Sequence, residues 1–270
     1  MIQRNLFFCV VVIFCVCRVE ISHCQTTIGA RTLSIGQTGV ALPNHQWAVF
    51  SNTSLLSTDE RYISFYGFRY AGISEITDLA ASAVFSTRLG SFGAGFHRYG
   101  FDLFNRTDIR LGYKKQFSSI HSGMSVSYSV VQQSGGYGSA GAFGLNFGIA
   151  AQILQTLWFA ARATNINQPS YGNSDENLPR DLAIGISYLP AERVLLSIDA
   201  VKDVRFPLSL RAGSEFELIA GFFARAGITT NPQTYAGGFG YTTDRWQINI
   251  GVQQHMPLGL SPAVDMTVNF

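Results

Sequence analysis

The sequence predicts an all-β chain, a transmembrane antiparallel β-barrel of about fourteen strands with an N-terminal segment in or under the lumen. Three observations carry this reading. The chain opens with an export signal. Apolar and polar residues then alternate at period two through most of its length. Short and long connections between the alternating segments take turns along the chain.

The export signal sets the compartment. Met1 to Asn5, with Arg4, precedes an unbroken apolar run from Leu6 to Cys17, which Arg18 and the residues to Cys24 end. Such a run is short for a membrane-spanning helix and has the order of a cleavable secretory leader. Ser22 and Cys24 are small enough to precede a cut at Cys24|Gln25, and the bulk of His23 argues against lipid attachment at Cys24. The chain thus divides into a leader (1–24), a hatch or plug segment (25–58) and a barrel (59–270). All four cysteines fall in the leader, so the exported part has no disulfide and no thiolate site.

Composition narrows the class without choosing within it. Charged residues make up 13% and aromatics 13%, with 27 glycines and a formal net charge of +2. A balance this close to neutral leaves no footprint for nucleic acid. Low charge with abundant Gly, Phe and Tyr fits a secreted β-sandwich or a membrane barrel. After residue 24 no window offers eighteen apolar residues, so helical membrane spans are not expected.

Alternation chooses the barrel. In Asp108 to Lys114 the odd positions are apolar and the even ones polar or Gly; Phe143, Leu145, Phe147 and Ile149 share one face of the next segments. Leu208, Leu210, Ala212, Phe216 and Leu218 oppose Arg211, Glu215 and Glu217. The pattern predicts strands at 61–70, 79–89, 92–100, 106–115, 119–131, 141–151, 155–165, 180–189, 193–202, 207–217, 220–229, 234–242, 245–253 and 261–270. Tight links near 90, 117, 154, 190, 219 and 243 alternate with longer ones, and both termini return to one side, as in outer-membrane barrels. A sheet that is apolar on one face in lipid must close on itself, because lipid satisfies no edge N–H or C=O. Phe270 ends the last strand on the face of Val264, Met266 and Val268. A terminal aromatic there resembles the signal read by the barrel assembly machinery.

Residues 25–58 do not alternate. Gly29, Gly36, Gly39, Pro43, Trp47 and Phe50 suit a compact segment tucked into the lumen more than a free leader. Wall charges belong on the lumen face, since a lipid-facing Arg or Lys costs roughly 2–4 kcal/mol at mid-membrane. Asp108, Arg110, Asp199, Arg211, Glu215 and Glu217 are therefore lumen candidates, with Arg31, Trp47, Phe50 and Asn52 their hatch counterparts. Arg225 has less regular neighbours and calls for a local break or a terminal position. Tyr137 in a Gly-rich loop, and Tyr171, Asp175 and Glu176 in the long 165–179 connection, are candidates for an outer docking loop, and the long connection equally suits a segment ordered over the mouth or a solvated loop. Trp158 and Trp246 lie near strand starts, where an interfacial aromatic girdle would place them.

Chemistry has little to stand on. His45, His97, His121 and His255 show no metal spacing, and no Gly-x-Ser-x-Gly elbow occurs. A trio of Ser129 or Ser197 with His97 and Asp199 is one that distant strands would have to assemble. The reading is no enzyme, no catalytic residue, no metal and no cofactor.

The run Gly29-Ala30-Arg31 through Gly36, Gly39, Trp47 and Asn52 resembles the opening of PorV/PorQ-like outer-membrane proteins of Bacteroidetes-type bacteria, within the broader FadL-like (long-chain fatty-acid transporter-like) barrels. Pro207 to Phe216 and Phe223 to Gly227 are similar to that family's Arg-Ala-Gly strand pairs. The family's Asn-Pro-Ala-Gly-Leu motif is reduced here to Asn52-Thr53-Ser54-Leu55. The resemblance implies a fourteen-stranded barrel with a lumen segment. It also implies one of two roles: a partner or scaffold subunit of a type IX secretion-like assembly, or a passage for hydrophobic small molecules. Expected partners are outer-membrane lipid and lipopolysaccharide, the barrel assembly machinery, another outer-membrane or secreted protein, and a hydrophobic small-molecule ligand. A soluble secreted adhesin is the third reading.

Overall fold

A computed structural model of the chain describes residues 27–70, 73, 75–134, 138–172, 177–256 and 259–270. The leader with its cleavage site, and Tyr137, Asp175 and Glu176 of the docking-loop candidates, lie outside the described residues. Alternation does produce strands: β1 (Tyr62–Arg69), β2 (Thr77–Thr87), β3 (Gly90–Phe101), β4 (Phe104–Phe117), β5 (Ile120–Gln133), β6 (Gly138–Leu154), β7 (Leu157–Ala163), β8 (Asp181–Ala191), β9 (Val194–Asp203), β10 (Ser209–Ile219), β11 (Phe222–Thr229), β12 (Thr234–Thr242), β13 (Trp246–His255) and β14 (Gly259–Asn269). Each pairs antiparallel with its chain neighbours, and β1 pairs with β14 from Tyr62↔Asn269 to Phe68↔Ala263, closing the barrel. Closure pairs the two strands, β1 and β14, that would otherwise be edges, which is the condition lipid imposes.

The two faces of the wall follow from period two. Phe143, Leu145, Phe147 and Ile149 of β6 point out, while Ala142, Asn146 and Ala150 point in and are buried. The same holds around the ring, with Ile184 and Ile186 out and Ala183 and Ser187 in. A continuous outward band of Phe, Leu, Ile and Val around a closed antiparallel wall is the surface of an outer-membrane protein. Trp246 is exposed on that band at the end where β14 finishes, whereas Trp158 turns inward. Trp158 packs on the lumen core with its ring 5.1 Å from His121 and so is not a girdle residue, because position 158 has inward parity.

One stretch of wall is built differently. β6 extends beyond β7, which stops at Ala163, so the upper half of β6 has no strand on that side. Asn167 substitutes for one: its Nδ2 donates to Phe143 O at 2.7 Å and its Oδ1 accepts Leu145 N–H at 2.8 Å. Ile166 N–H also donates to Leu145 O. The described parts of this connection, 164–172 and 177–180, thus lie against the wall and over the mouth. Tyr171, expected on an exposed docking loop, is buried with Leu178 and Ala142. A large aromatic in a connection crossing an apolar rim gains more from covering it than from facing water.

Residues 27–56 occupy the lumen. They form one short helix, α1 (Ala30–Ser34), a run of turns, and a 3-10 turn (Thr53–Leu55) capped by the Asn52 side chain, which accepts from Ser54 N–H. Leu33, Ile35, Leu42, Trp47, Val49 and Leu56 have almost no exposed surface. Three wall glycines show how the wall admits this segment. A Cβ built on Gly213 or Gly227 would overlap the backbone of Ile35 and Gly36, and one on Gly123 would overlap Thr53 and Ser54. Backbone-to-wall approach of this kind leaves room for nothing larger than hydrogen.

Candidate functional site, a plug latched by lumen charges

A turn-rich segment inside a barrel has a problem that a strand does not. Few of its N–H and C=O groups meet a ladder partner, yet they are buried and must be paired. Lumen-facing charges of the wall solve it. Three carboxylates take plug donors. Asp265 of β14 accepts Ala30 N–H at 2.6 Å, Trp47 Nε1–H at 3.3 Å and Asn249 Nδ2–H at 2.6 Å. Asp199 of β9 accepts Gly39 and Val40 N–H at 2.7 and 3.0 Å. Glu215 of β10 receives Arg31 Nη2 and Nε at 2.8 and 2.9 Å.

Four cations take plug carbonyls. Arg110 of β4 donates to Phe50 O at 2.8 Å, its guanidinium lying 5.5 Å from the centre of the Phe50 ring. Arg162 of β7 donates to Ser51 O at 2.6 Å and pairs with Asp181 at 3.2 Å. Arg211 of β10 donates to Gln37 O at 3.0 Å and Thr27 Oγ1 at 3.2 Å. Lys114 of β4 donates to Leu56 O at 2.6 Å. Buried ion pairs add little net stability because desolvation offsets their attraction, but each is costly to break from one side. The charges therefore fix where the plug sits, and apolar packing around Leu33, Ile35 and Trp47 supplies most of the stability.

The other lumen candidates separate from this set. Asp108 faces inward but bonds Arg106 at 3.0 Å, Ser129, and His97 at 3.5 Å, bracing β3, β4 and β5 to one another. Glu217 accepts Gly221 N–H at 2.8 Å and stiffens the β10–β11 turn. Arg225 needs no local break: it sits in regular register opposite Glu215, to which its Nε donates, because a lumen carboxylate is available there. The serine trio is not assembled. Ser129 donates to Asp108 rather than facing His97, and Ser197 bonds Ser187. Among the described residues no three His, Cys, Asp or Glu side chains gather to hold a metal. Asp265, Arg162, Lys114, Asn249 and His45 belong to the latch or its surroundings and were not singled out from the sequence. Asp265 carried a usable signal, a lone carboxylate between Val264 and Met266.

Two spaces stand beside the plug among the described residues. A gap of about 10 Å³ bounded by Phe50, Asn52, Arg110, Asn146 and Arg162 is barely the room of one water, and a larger one of about 140 Å³ opens beside Thr58, Ser91 and Lys114 at the turn end of β3 and β4. Towards the far ends of β1 and β3, the Phe68 and Tyr70 rings lie 4.7 Å apart and Tyr99 is 5.8 Å from Tyr70, with Ile28 packed against the same cluster. The mouth is therefore aromatic.

A fourteen-stranded closed wall around a plug formed by the chain's own N-terminal residues decides the architecture. The fold is that of FadL-like outer-membrane barrels. The chain is similar to a "CymD monoaromatic hydrocarbon channel" at TM-score 0.66 and 10% identity, covering 91% of this chain and 98% of that one. It is similar to the Pseudomonas putida toluene transporter TodX at TM-score 0.67 and 12% identity, covering 90% and 97%. A Pseudomonas aeruginosa FadL homologue gives 0.60 and 11%, covering 92% and 99%. No protein-family model matches the sequence, and no curated protein matches it. Likeness at this identity is one of fold.

Proposed function

We propose that this FadL-like barrel is a gated passage for small hydrophobic molecules across the outer membrane, with residues 27–56 as the gate. The observation that supports it best is the latch. The plug is held by reversible hydrogen bonds and ion pairs, with no covalent tie between plug and wall apart from chain continuity at residues 57–61. Its aromatic mouth of Ile28, Phe68, Tyr70 and Tyr99 offers an apolar solute a first contact that water and ions do not gain from. Three of the barrels it resembles are described as hydrocarbon or toluene conductors, which sets the class of solute tested first.

A second reading has its own support. A lumen filled by the buried plug would also suit a rigid partner or scaffold subunit of a type IX secretion-like assembly, the role implied by PorV/PorQ-like proteins. Mild-detergent extraction from native outer membranes, followed by mass spectrometry of bound lipophiles and companion proteins, separates the two. The passage reading expects a barrel without stoichiometric companions that binds small aromatics. A stable stoichiometric protein complex in which the barrel takes up no aromatic solute would replace it with the scaffold reading.

A further inference from the structure

We propose that Arg69 and Arg98 form an outer-wall site for the phosphate groups of a glycolipid of the outer leaflet, of the lipid A type. The inference begins with parity. Arg69 shares the outward face of β1 with Ile63 and Phe65, and Arg98 shares that of β3 with Phe92 and Phe96. Both are exposed, and among the described residues no carboxylate lies within ion-pair distance of either. Two arginines without a carboxylate on the lipid face of a barrel need an explanation, since most charges of the wall face inward and the outward Lys115 and Lys202 are taken up by the carbonyls of Leu89 and Phe206.

Their level supplies part of it. Arg69 ends β1, and Arg98 lies three residues before the end of β3, both at the rim opposite the start of β1 and the end of β14. That rim is the outer one, because the end of the last strand and the run of two- and three-residue turns mark the periplasmic side. The cost of an outward cation falls from roughly 2–4 kcal/mol at mid-membrane to about 0–1 at the boundary. At the corresponding level on the far wall stand Leu182, Leu210, Ile228, Tyr235 and Val252, all exposed and apolar. Lys202 is the outward cation there, and it is occupied by Phe206 O. The unoccupied charge is thus concentrated on β1 and β3.

Register supplies the rest. Arg69 is opposite Thr77 and Arg98 is opposite Leu79, so the two arginines flank β2. Two strand spacings across and two residues along put their Cα atoms about 12 Å apart. Each side chain is long enough to reach into that gap, and a guanidinium fork matches phosphate at two points. Leu79 lies between them, level with Arg98, and directly below lie Phe65, Phe96 and Ile109, an apolar strip continuous with the hydrocarbon layer. Two cations above such a strip complement a phosphorylated headgroup carrying acyl chains. The outer leaflet is where a lipopolysaccharide-type lipid presents that combination. The site is independent of what crosses the lumen.

The test is titration of the purified full barrel in mild detergent with bisphosphorylated lipid A, dephosphorylated lipid A and phosphatidylglycerol, read by native mass spectrometry. Wild type should retain bisphosphorylated lipid A at least about tenfold better than either comparison lipid, and the Arg69→Ala/Arg98→Ala barrel should lose that preference. Equal retention of the three lipids by wild type would overturn the proposal. So would full preference in a double variant whose folded gel mobility is intact. If the double variant does not fold, the wild-type comparison decides alone.

Discussion

Glu215 of the wall holds Arg31 of the plug at two points, 2.8 and 2.9 Å, while Arg225 donates to the same carboxylate from the neighbouring strand. One buried anion therefore lies between two buried guanidinia, one belonging to the movable segment and one to the fixed wall. The plug's placement depends on the carboxylate more than on either arginine alone.

That asymmetry orders two substitutions. Glu215→Gln strands both arginines without a counter-charge, a change of roughly 3–5 kcal/mol for a buried pair broken from one side. Arg31→Met removes the plug's guanidinium and leaves Glu215 with Arg225, so its effect should be smaller. Urea titration of the folded gel form checks this: the midpoint should fall further for Glu215→Gln. The reverse order would remove Glu215 from its place in the account.

Glycine at position 227 should matter to the plug and hardly to the wall. Gly227→Val puts methyl groups where the backbone of Ile35 and Gly36 lies. The strand itself favours Val. The variant should assemble and keep its heat-modifiable mobility, yet residues 27–56 should become open to protease. Ala81→Val, on the lipid face, is the control and should leave the plug protected.

Acid should loosen the plug through His45. Burial, and then the charge of Arg31, push this imidazole down to about 3, and neither ring nitrogen has a hydrogen-bond partner. A released plug would titrate near the ordinary 6.5, so it binds a proton that the docked plug refuses. Docking is then insensitive to pH above about 7 and weakens as pH falls below 6.5, by about 1.4 kcal/mol per pH unit at most. Protease sensitivity of residues 27–56 should rise between pH 7.5 and 5 in wild type and stay flat in His45→Gln. An equal rise in both would assign the pH response to other groups.

Part of the β6 edge above Ala163 is satisfied by one side chain, beside the backbone bonds from Ile166 and Gly172. Asn167→Ala removes both of its bonds to Phe143 and Leu145, a loss of about 1–3 kcal/mol where the freed groups stay buried and less where water reaches them. Hydrogen exchange at Leu145 N–H should accelerate by about tenfold, while Val126, in the middle of the paired β5–β6 ladder, should not change.

Strands and faces were legible because period two is a local property: Phe143 and Leu145 declare their side without reference to any other strand. Trp158 shows the limit, since its place near a strand start suggested a girdle while its parity points inward. Arg225 looked irregular from its neighbours because its partner, Glu215, lies on another strand. Asp265 escaped notice because attention went to the apolar face of its strand. Tyr171 was misread for the reason that governs connections generally: which rim a loop covers depends on the curvature of a barrel that local sequence does not describe. The latch pairs residues as far apart in sequence as Ala30 and Asp265, a relation that no window on the chain contains.

The most direct test of the gated passage is uptake of a small apolar naphthylamine dye through outer membranes with an intact lipopolysaccharide leaflet. Membranes with no barrel, with wild type and with Glu215→Gln would be compared against a polar β-lactam in each. The account predicts faster dye uptake with wild type than without, a further several-fold gain with Glu215→Gln, and a β-lactam rate that wild type leaves unchanged. Dye uptake identical in all three membranes, with folded barrel present in the last two, would contradict it.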